Sequence, residues 1–61
     1  MDFLSVQEVA EYLKVSPHTI RRHIKEGNLQ AYALGDGWRI LKEDMLKFIE
    51  NSKVNGGNKN E

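Results

Sequence analysis

The chain has 61 residues, no cysteine and a formal net charge of zero. A chain of this length forms one domain with a small core, and the lack of cysteine excludes disulfides and thiolate metal sites such as the usual zinc finger. The first residues, Met1-Asp2-Phe3-Leu4, do not form a secretion signal, and no stretch has the about 20 apolar residues that cross a bilayer. We therefore expect a cytoplasmic protein. We also expect it to have no cofactor and no metal.

The first predicted helix covers residues 6 to 13. Ser5 and Glu8 have the spacing of a capping box, in which each side chain accepts the backbone N–H of the other residue. The apolar residues that follow recur at intervals of three and four and form one stripe: Val6, Val9, Ala10 and Leu13. This pattern predicts a scaffold helix that packs on a second helix.

The second predicted helix lies between Val15 and Gly27. Ser16 is a favourable N-cap, Pro17 suits the first helical position, and Gly27 can adopt the left-handed conformation that ends a helix. Only Lys14 and Val15 separate this cap from the first helix. The two helices are therefore expected to meet at a steep angle, as in a helix-turn-helix.

The two faces of this second helix differ in chemistry. Ile20 and Ile24 point to one side and His23 lies near that packing edge, whereas the opposite side and its flanks are polar or basic: His18, Thr19, Arg21, Arg22 and Lys25. Residues 14–39 hold five Lys and Arg against two Asp and Glu, whereas residues 1–13 hold three Asp and Glu and no Lys or Arg. Positive charge is thus concentrated where this helix lies.

Gly35-Asp36-Gly37 separates two runs with alternating apolar residues and predicts a β-hairpin. A two-residue loop would divide the large apolar side chains between the faces, and a three-residue loop would put all four on one face: Tyr32, Leu34, Trp38 and Ile40. We expect the three-residue loop, with Gly37 in the left-handed conformation and Arg39 projecting outward. Trp38 is then expected in the core, although stacking on a single-stranded base is an alternative.

The third predicted helix covers residues 42 to 51. Glu43 and Asp44 lie in its first turn, where the helix dipole favours acidic residues. Its predicted packing face consists of Met45, Leu46, Phe48 and Ile49. Residues 52–61 contain one apolar residue and two adjacent glycines, so we expect a domain over residues 1–51 and a disordered tail over residues 52–61.

The order helix-helix-hairpin-helix predicts a mainly α fold with a small β-hairpin, the winged helix-turn-helix. Over about residues 3–50 the chain resembles the excisionase-type, MerR-like family of small winged-helix DNA-binding domains. The segments that carry the resemblance are Leu4-Ser5-Val6-Gln7-Glu8-Val9-Ala10-Glu11-Tyr12-Leu13, the stretch from Val15 to Gly27, and Gly35-Asp36-Gly37-Trp38-Arg39-Ile40.

This resemblance implies double-stranded DNA as the partner, with the second helix in the major groove and the hairpin on the neighbouring backbone or minor groove. It assigns DNA contacts to helix residues Ser16, His18, Thr19, Arg21, Arg22 and Lys25, and to wing residues Gly35, Asp36, Gly37 and Arg39. Members of the family serve as recombination directionality factors of phages and mobile elements, or as regulators of mobile elements. They bind adjacent sites cooperatively, bend the DNA and assist an integrase.

Two other functions stay open from the sequence. One is a small MerR-like transcriptional regulator. MerR-type regulators continue into a long dimerising helix, whereas this chain ends in a tail without heptads. We therefore expect a monomer in solution that binds DNA cooperatively. A protein-interaction module such as an antirepressor is the other, because the net charge is zero. Arg39 could also pair with an acidic neighbour instead of a phosphate.

We do not expect an enzyme. His18 and His23 are five residues apart and do not share a helix face as metal ligands at i, i+4 would. The chain also lacks a nucleophile, base and acid set and a glycine-rich phosphate loop before a helix.

Overall fold

Three antiparallel strands and three helices form the part of the chain that the computed structural model describes, residues 2–54. In chain order they are β1 (Phe3–Ser5), α1 (Val6–Leu13), α2 (Pro17–Lys25), β2 (Tyr32–Leu34), β3 (Gly37–Leu41) and α3 (Lys42–Asn51). The strand order in the sheet is β1-β3-β2. The predicted winged helix-turn-helix is confirmed, and β1 is an addition that the sequence analysis did not predict. The predicted tail falls largely on residues 55–61, which lie outside the described residues.

Both predicted helix starts are confirmed by their caps. The Ser5 backbone N–H donates to Glu8 Oε1 at 2.8 Å, and the Glu8 N–H donates to Ser5 Oγ at 3.0 Å. At the start of α2, Ser16 Oγ accepts the Thr19 N–H at 3.2 Å, and Pro17 takes the first helical position. Each cap satisfies a backbone donor that would otherwise lack a partner, so local sequence fixes where each helix begins.

The core lies between α1, α2, α3 and the inner face of the sheet. All of these elements, and the segment after α2, contribute to its buried apolar side chains: Val6, Val9, Ala10, Ile20, Leu29, Ile40 and Met45. Val9, Ile40 and Met45 have no solvent exposure. The predicted inner stripe of α1 is therefore confirmed, with Leu13 partly buried at its end.

Lys14 ends α1 in the left-handed conformation, with φ of +62°. Its N–H donates to the Glu11 carbonyl at 3.3 Å, and the Val15 N–H donates to the Ala10 carbonyl at 3.0 Å. Together these bonds turn the chain toward the α2 cap within two residues. Lysine has a Cβ atom that makes this conformation unfavourable, by about 1–2 kcal/mol.

Lys14→Gly is expected to stabilise the domain by about 0.5 kcal/mol, because relief of this strain exceeds the about 0.5–1 kcal/mol that glycine loses in chain entropy. Urea unfolding followed by circular dichroism measures the change. Lys14→Ala removes the same charge but keeps a Cβ atom, so it should show no gain. Equal stabilisation by both variants would assign the effect to the lysine side chain rather than to the backbone.

The predicted three-residue hairpin loop is wrong. Tyr32 pairs with Arg39 and Leu34 pairs with Gly37, which leaves Gly35 and Asp36 as a two-residue loop. Gly35 has a φ of +60°, so the positive φ expected at Gly37 occurs at Gly35 instead. Glycine at the first loop position suits the type II′ turn of two-residue hairpins. Arg39 does lie on the outer face, as expected.

Strand β1 adds apolar side chains to both faces of the sheet. Leu4 lies opposite Ile40 on the inner face of the sheet, and Phe3 lies opposite Leu41 on the outer face. The rings of Phe3 and Tyr32 then make an edge-to-face contact on that outer face, with centroids 5.9 Å apart. Leu4 thus adds an apolar side chain to the core face, and Tyr32 on the outer face is covered in part by an aromatic neighbour.

Helix α3 begins and ends where the sequence predicted, but its packing face is narrower. Met45 is fully buried and Phe48 packs against the core, whereas Leu46 is 48% exposed and Ile49 38% exposed. Leu46 lies about 100° around the helix from Met45, outside the contact that this small core offers. The predicted burial of Leu46 and Ile49 is therefore wrong.

No helix within residues 2–54 is long and apolar enough to span a membrane.

Candidate nucleic-acid interface

The solvent-facing side of α2 is basic, as the periodicity predicted. Ile20 is 1% exposed and Ile24 packs against the core, which orients the helix. The side chains on the other side are exposed: His18, Arg21, Arg22 and Lys25. Burial of the two isoleucines therefore presents three cationic residues and a histidine on one surface of a nine-residue helix.

The hairpin lies beside one flank of this basic face. Arg21 and Lys25 of α2 and Asp36 and Gly37 of the hairpin line the same open cleft, together with Val6 and Trp38. The structure thus brings two of the predicted helix residues close to the predicted wing residues. We call the β2–β3 hairpin, residues 32–41, the wing. Its Trp38 packs against the core, in agreement with the core position predicted for it.

Arg39 makes contacts within the wing itself. Its Nη1 atom donates to the Trp38 carbonyl oxygen at 3.0 Å, and its Nη2 atom lies 3.6 Å from Asp36 Oδ1. The Arg39 side chain keeps 38% of its surface exposed, and Asp36 keeps 94%. The acidic neighbour considered for Arg39 is thus present, in a pair that solvent can reach.

Arg22 has an acidic neighbour that the sequence analysis did not assign to the site. Glu26 Oε2 lies 4.0 Å from Arg22 Nη1, one helical turn farther along the chain, and about half of each side chain is exposed. An exposed ion pair at this spacing is weak, so Arg22 can exchange the Glu26 carboxylate for another anion. The i, i+4 spacing of the two residues was the signal available in the sequence.

Ser16 and Thr19 are engaged at the start of α2. Besides the cap, their hydroxyl oxygens Oγ and Oγ1 lie 3.0 Å apart and share a hydrogen bond. Thr19 is half-buried, whereas Ser16 is exposed. Both side chains thus stabilise the helix start, and their contacts with DNA stay a prediction.

His23 lies on the packing side of α2, in line with the structural position expected for it. Its ring centroid is 5.0 Å from that of Phe48, and Asn28 Nδ2 lies 3.4 Å from His23 Nδ1. His18 is on the opposite, exposed side of the helix. Within residues 2–54, no three His, Cys, Asp or Glu side chains converge on a possible metal site.

Comparison with known proteins agrees with this geometry. The model of a helix-turn-helix domain family matches residues 3–53. A protein named "Excisionase" from Mycobacterium phage D29 is 36% identical over 45 residues, which is 74% of this chain and 80% of that protein. An uncharacterized protein of Bacillus subtilis strain 168, YvgK, is 38% identical over 50 residues, which is 82% of this chain but only 16% of YvgK.

No solved structure matches the chain. The family match covers both helices of the helix-turn-helix, the wing and α3. The similarity covers most of the length of the phage protein and a small part of YvgK. The chain therefore belongs to the helix-turn-helix domain family, as a small DNA-binding protein of the excisionase type.

Proposed function

We propose that this protein is a recombination directionality factor of a phage or mobile element, which binds adjacent DNA sites, bends the DNA and assists an integrase during excision. The observation that carries this proposal is the joint surface of α2 and the wing, where Arg21 and Lys25 line one cleft with the wing tip. The similarity to a phage protein named "Excisionase" supports the recombination role.

The size of the basic face supports binding to several sites at once. A nine-residue helix is about 14 Å long, so α2 can place its exposed residues along only one short segment of the major groove. Such a small contact gives limited sequence discrimination by itself. Useful specificity then requires neighbouring copies on repeated sites or a second protein bound nearby.

The wing extends the contact beyond the major groove. Its tip lies beside Arg21 and Lys25, so a helix seated in the groove brings Gly35, Asp36 and Gly37 close to the adjacent phosphate backbone.

We propose that the protein is monomeric in solution, that copies assemble only on DNA, and that it acts in the cytoplasm of a bacterial host.

The arrangement of sites on DNA tests this function. Binding sequences are first selected from a random duplex pool, and gel-shift titrations then compare two copies of the site as direct and as inverted repeats. We expect a ladder of two complexes on direct repeats, with the second copy binding more tightly than the first. End-to-end fluorescence transfer across the same duplex should rise as the ladder fills, because the DNA bends.

Each alternative function predicts a different result. A single complex that forms only on inverted repeats would contradict the proposal and indicate a dimeric transcriptional regulator. Binding that does not weaken with salt would indicate a protein partner, because each neutralised phosphate contributes about −0.9 to the slope of log K against log salt. Both measurements use the full chain and the same labelled duplexes.

A further inference from the structure

Asp36 is an acidic residue at the centre of a surface proposed to bind phosphates. It lies at the second loop position of the wing, and 94% of its side chain is exposed. The same cleft contains Arg21 and Lys25 of α2. A carboxylate does not bind a phosphate group directly, so the position of Asp36 calls for another explanation.

The contacts of Arg39 supply that explanation. Asp36 Oδ1 holds Nη2 at 3.6 Å, while the Trp38 carbonyl accepts a hydrogen bond from Nη1 at 3.0 Å. A carboxylate and a carbonyl thus bind two different nitrogens of one guanidinium group. The hydrogen bond to the Trp38 carbonyl directs the guanidinium group along the wing, and the ion pair with Asp36 adds a weaker attraction in the same direction.

Gly37 leaves room for this arrangement. A Cβ atom at Gly37 would lie 3.3 Å from Arg39 Nη1, closer than ordinary van der Waals contact. The φ of Gly37 is outside the left-handed region, so the backbone itself does not require glycine there. The missing side chain instead lets the guanidinium group lie over the turn.

We propose that Asp36 restrains Arg39 in the DNA-free protein, and that a DNA phosphate must displace this carboxylate before Arg39 can bind the backbone. The inference rests on the proposed placement of the wing at the DNA. In this arrangement the carboxylate occupies the place of a phosphate oxygen against Nη2. Asp36 lowers the affinity of the wing for any phosphate backbone, and it does so through Arg39.

A double-mutant cycle tests this role. Binding to a fluorescein-labelled duplex of scrambled sequence, about 30 bp or three helical turns long, is measured by anisotropy across a salt series. The four proteins are the parent, Asp36→Asn, Arg39→Gln and the double variant. We expect Asp36→Asn to tighten binding about two- to five-fold in the parent, the range that corresponds to an exposed ion pair. In the Arg39→Gln background the gain should vanish.

Two controls separate the restraint from general electrostatics and from misfolding. Glu50→Gln changes the net charge equally but lies near the C-terminal end of α3, so it should not change binding. Asp36→Ser also removes the carboxylate, and serine is a common turn residue, so this variant should reproduce the tighter binding of Asp36→Asn. Thermal melts by circular dichroism identify any variant that does not fold. If one of the two Asp36 variants does not fold, the other is sufficient for the cycle.

Each remaining outcome has a definite meaning. An equal gain in both backgrounds would overturn the proposal, because Asp36 would then repel DNA independently of Arg39. Unchanged binding by both Asp36 variants would also overturn it, and weaker binding would overturn it and assign Asp36 to positioning Arg39 for contact. If the parent itself shows no salt-dependent DNA binding, the proposed function fails instead, and that result is visible before any variant is compared.

Discussion

Ile40→Ala is expected to remove a large part of the free energy of unfolding of the domain. Ile40 has no solvent exposure, and it lies on the central strand β3 opposite Leu4 of β1. Truncation of a buried isoleucine costs about 2–5 kcal/mol, and a domain of this size has a stability near the lower end of about 5–15 kcal/mol. Urea unfolding of parent and variant, followed by circular dichroism, measures the loss.

A matched substitution on the outer face provides the control. Leu34→Ala removes a side chain of the same size from the wing, but Leu34 is 45% exposed on the outer face of the sheet. Its loss should change the free energy of unfolding by about 0.5 kcal/mol or less. Comparable losses in the two variants would contradict the register described here and would favour a three-residue loop, which places both side chains on one face.

Arg22→Ala is expected to weaken binding to a selected DNA site by about 1–3 kcal/mol and to relax the base preference at one position. Arg22 is exposed on α2, and its ion pair with Glu26 at 4.0 Å is weak enough to exchange for a base edge. The expected partner is a guanine, whose O6 and N7 atoms match the two N–H groups of the guanidinium. Titrations on the selected site and on a scrambled duplex measure both effects.

Arg22→Lys separates base recognition from charge. Lysine keeps the positive charge but lacks the planar pair of donors, so this variant should bind scrambled DNA like the parent and still lose preference at the guanine. Lys47→Ala on α3 lowers the net charge in the same way as Arg22→Ala, and we expect parent-like binding from it. An unchanged base preference in both Arg22 variants would remove Arg22 from base recognition.

Features that depend on short sequence separations could be predicted from the sequence. The caps at Ser5 and Ser16 and the apolar spacing within each helix involve residues at most a few positions apart, and they gave the bounds of α1 and α2 correctly. The basic face of α2 follows from the same periodicity. Local chemistry was sufficient for these features because each helix forms its own hydrogen bonds.

Strand β1 could not be predicted in this way. Phe3, Leu4 and Ser5 are too few to show alternation, and they form a strand only because β3, more than 30 residues later, pairs with them. The hairpin register was also wrong from the sequence, because the segment Gly35-Asp36-Gly37 fits a two-residue loop as well as a three-residue loop. The contact between Asp36 and Arg39 in turn depends on this loop length, so it was open from the sequence.

The junctions between sheet and helices determine where this fold can change its length. Ser5 ends β1 and caps α1, and Leu41 ends β3 and precedes α3 directly. One inserted residue at either junction would turn the following helix by about 100° and misplace its buried side. The exposed loop at Gly35 and Asp36 carries no such constraint. A longer wing loop would therefore leave the orientation of all three helices unchanged, whereas a longer junction would not.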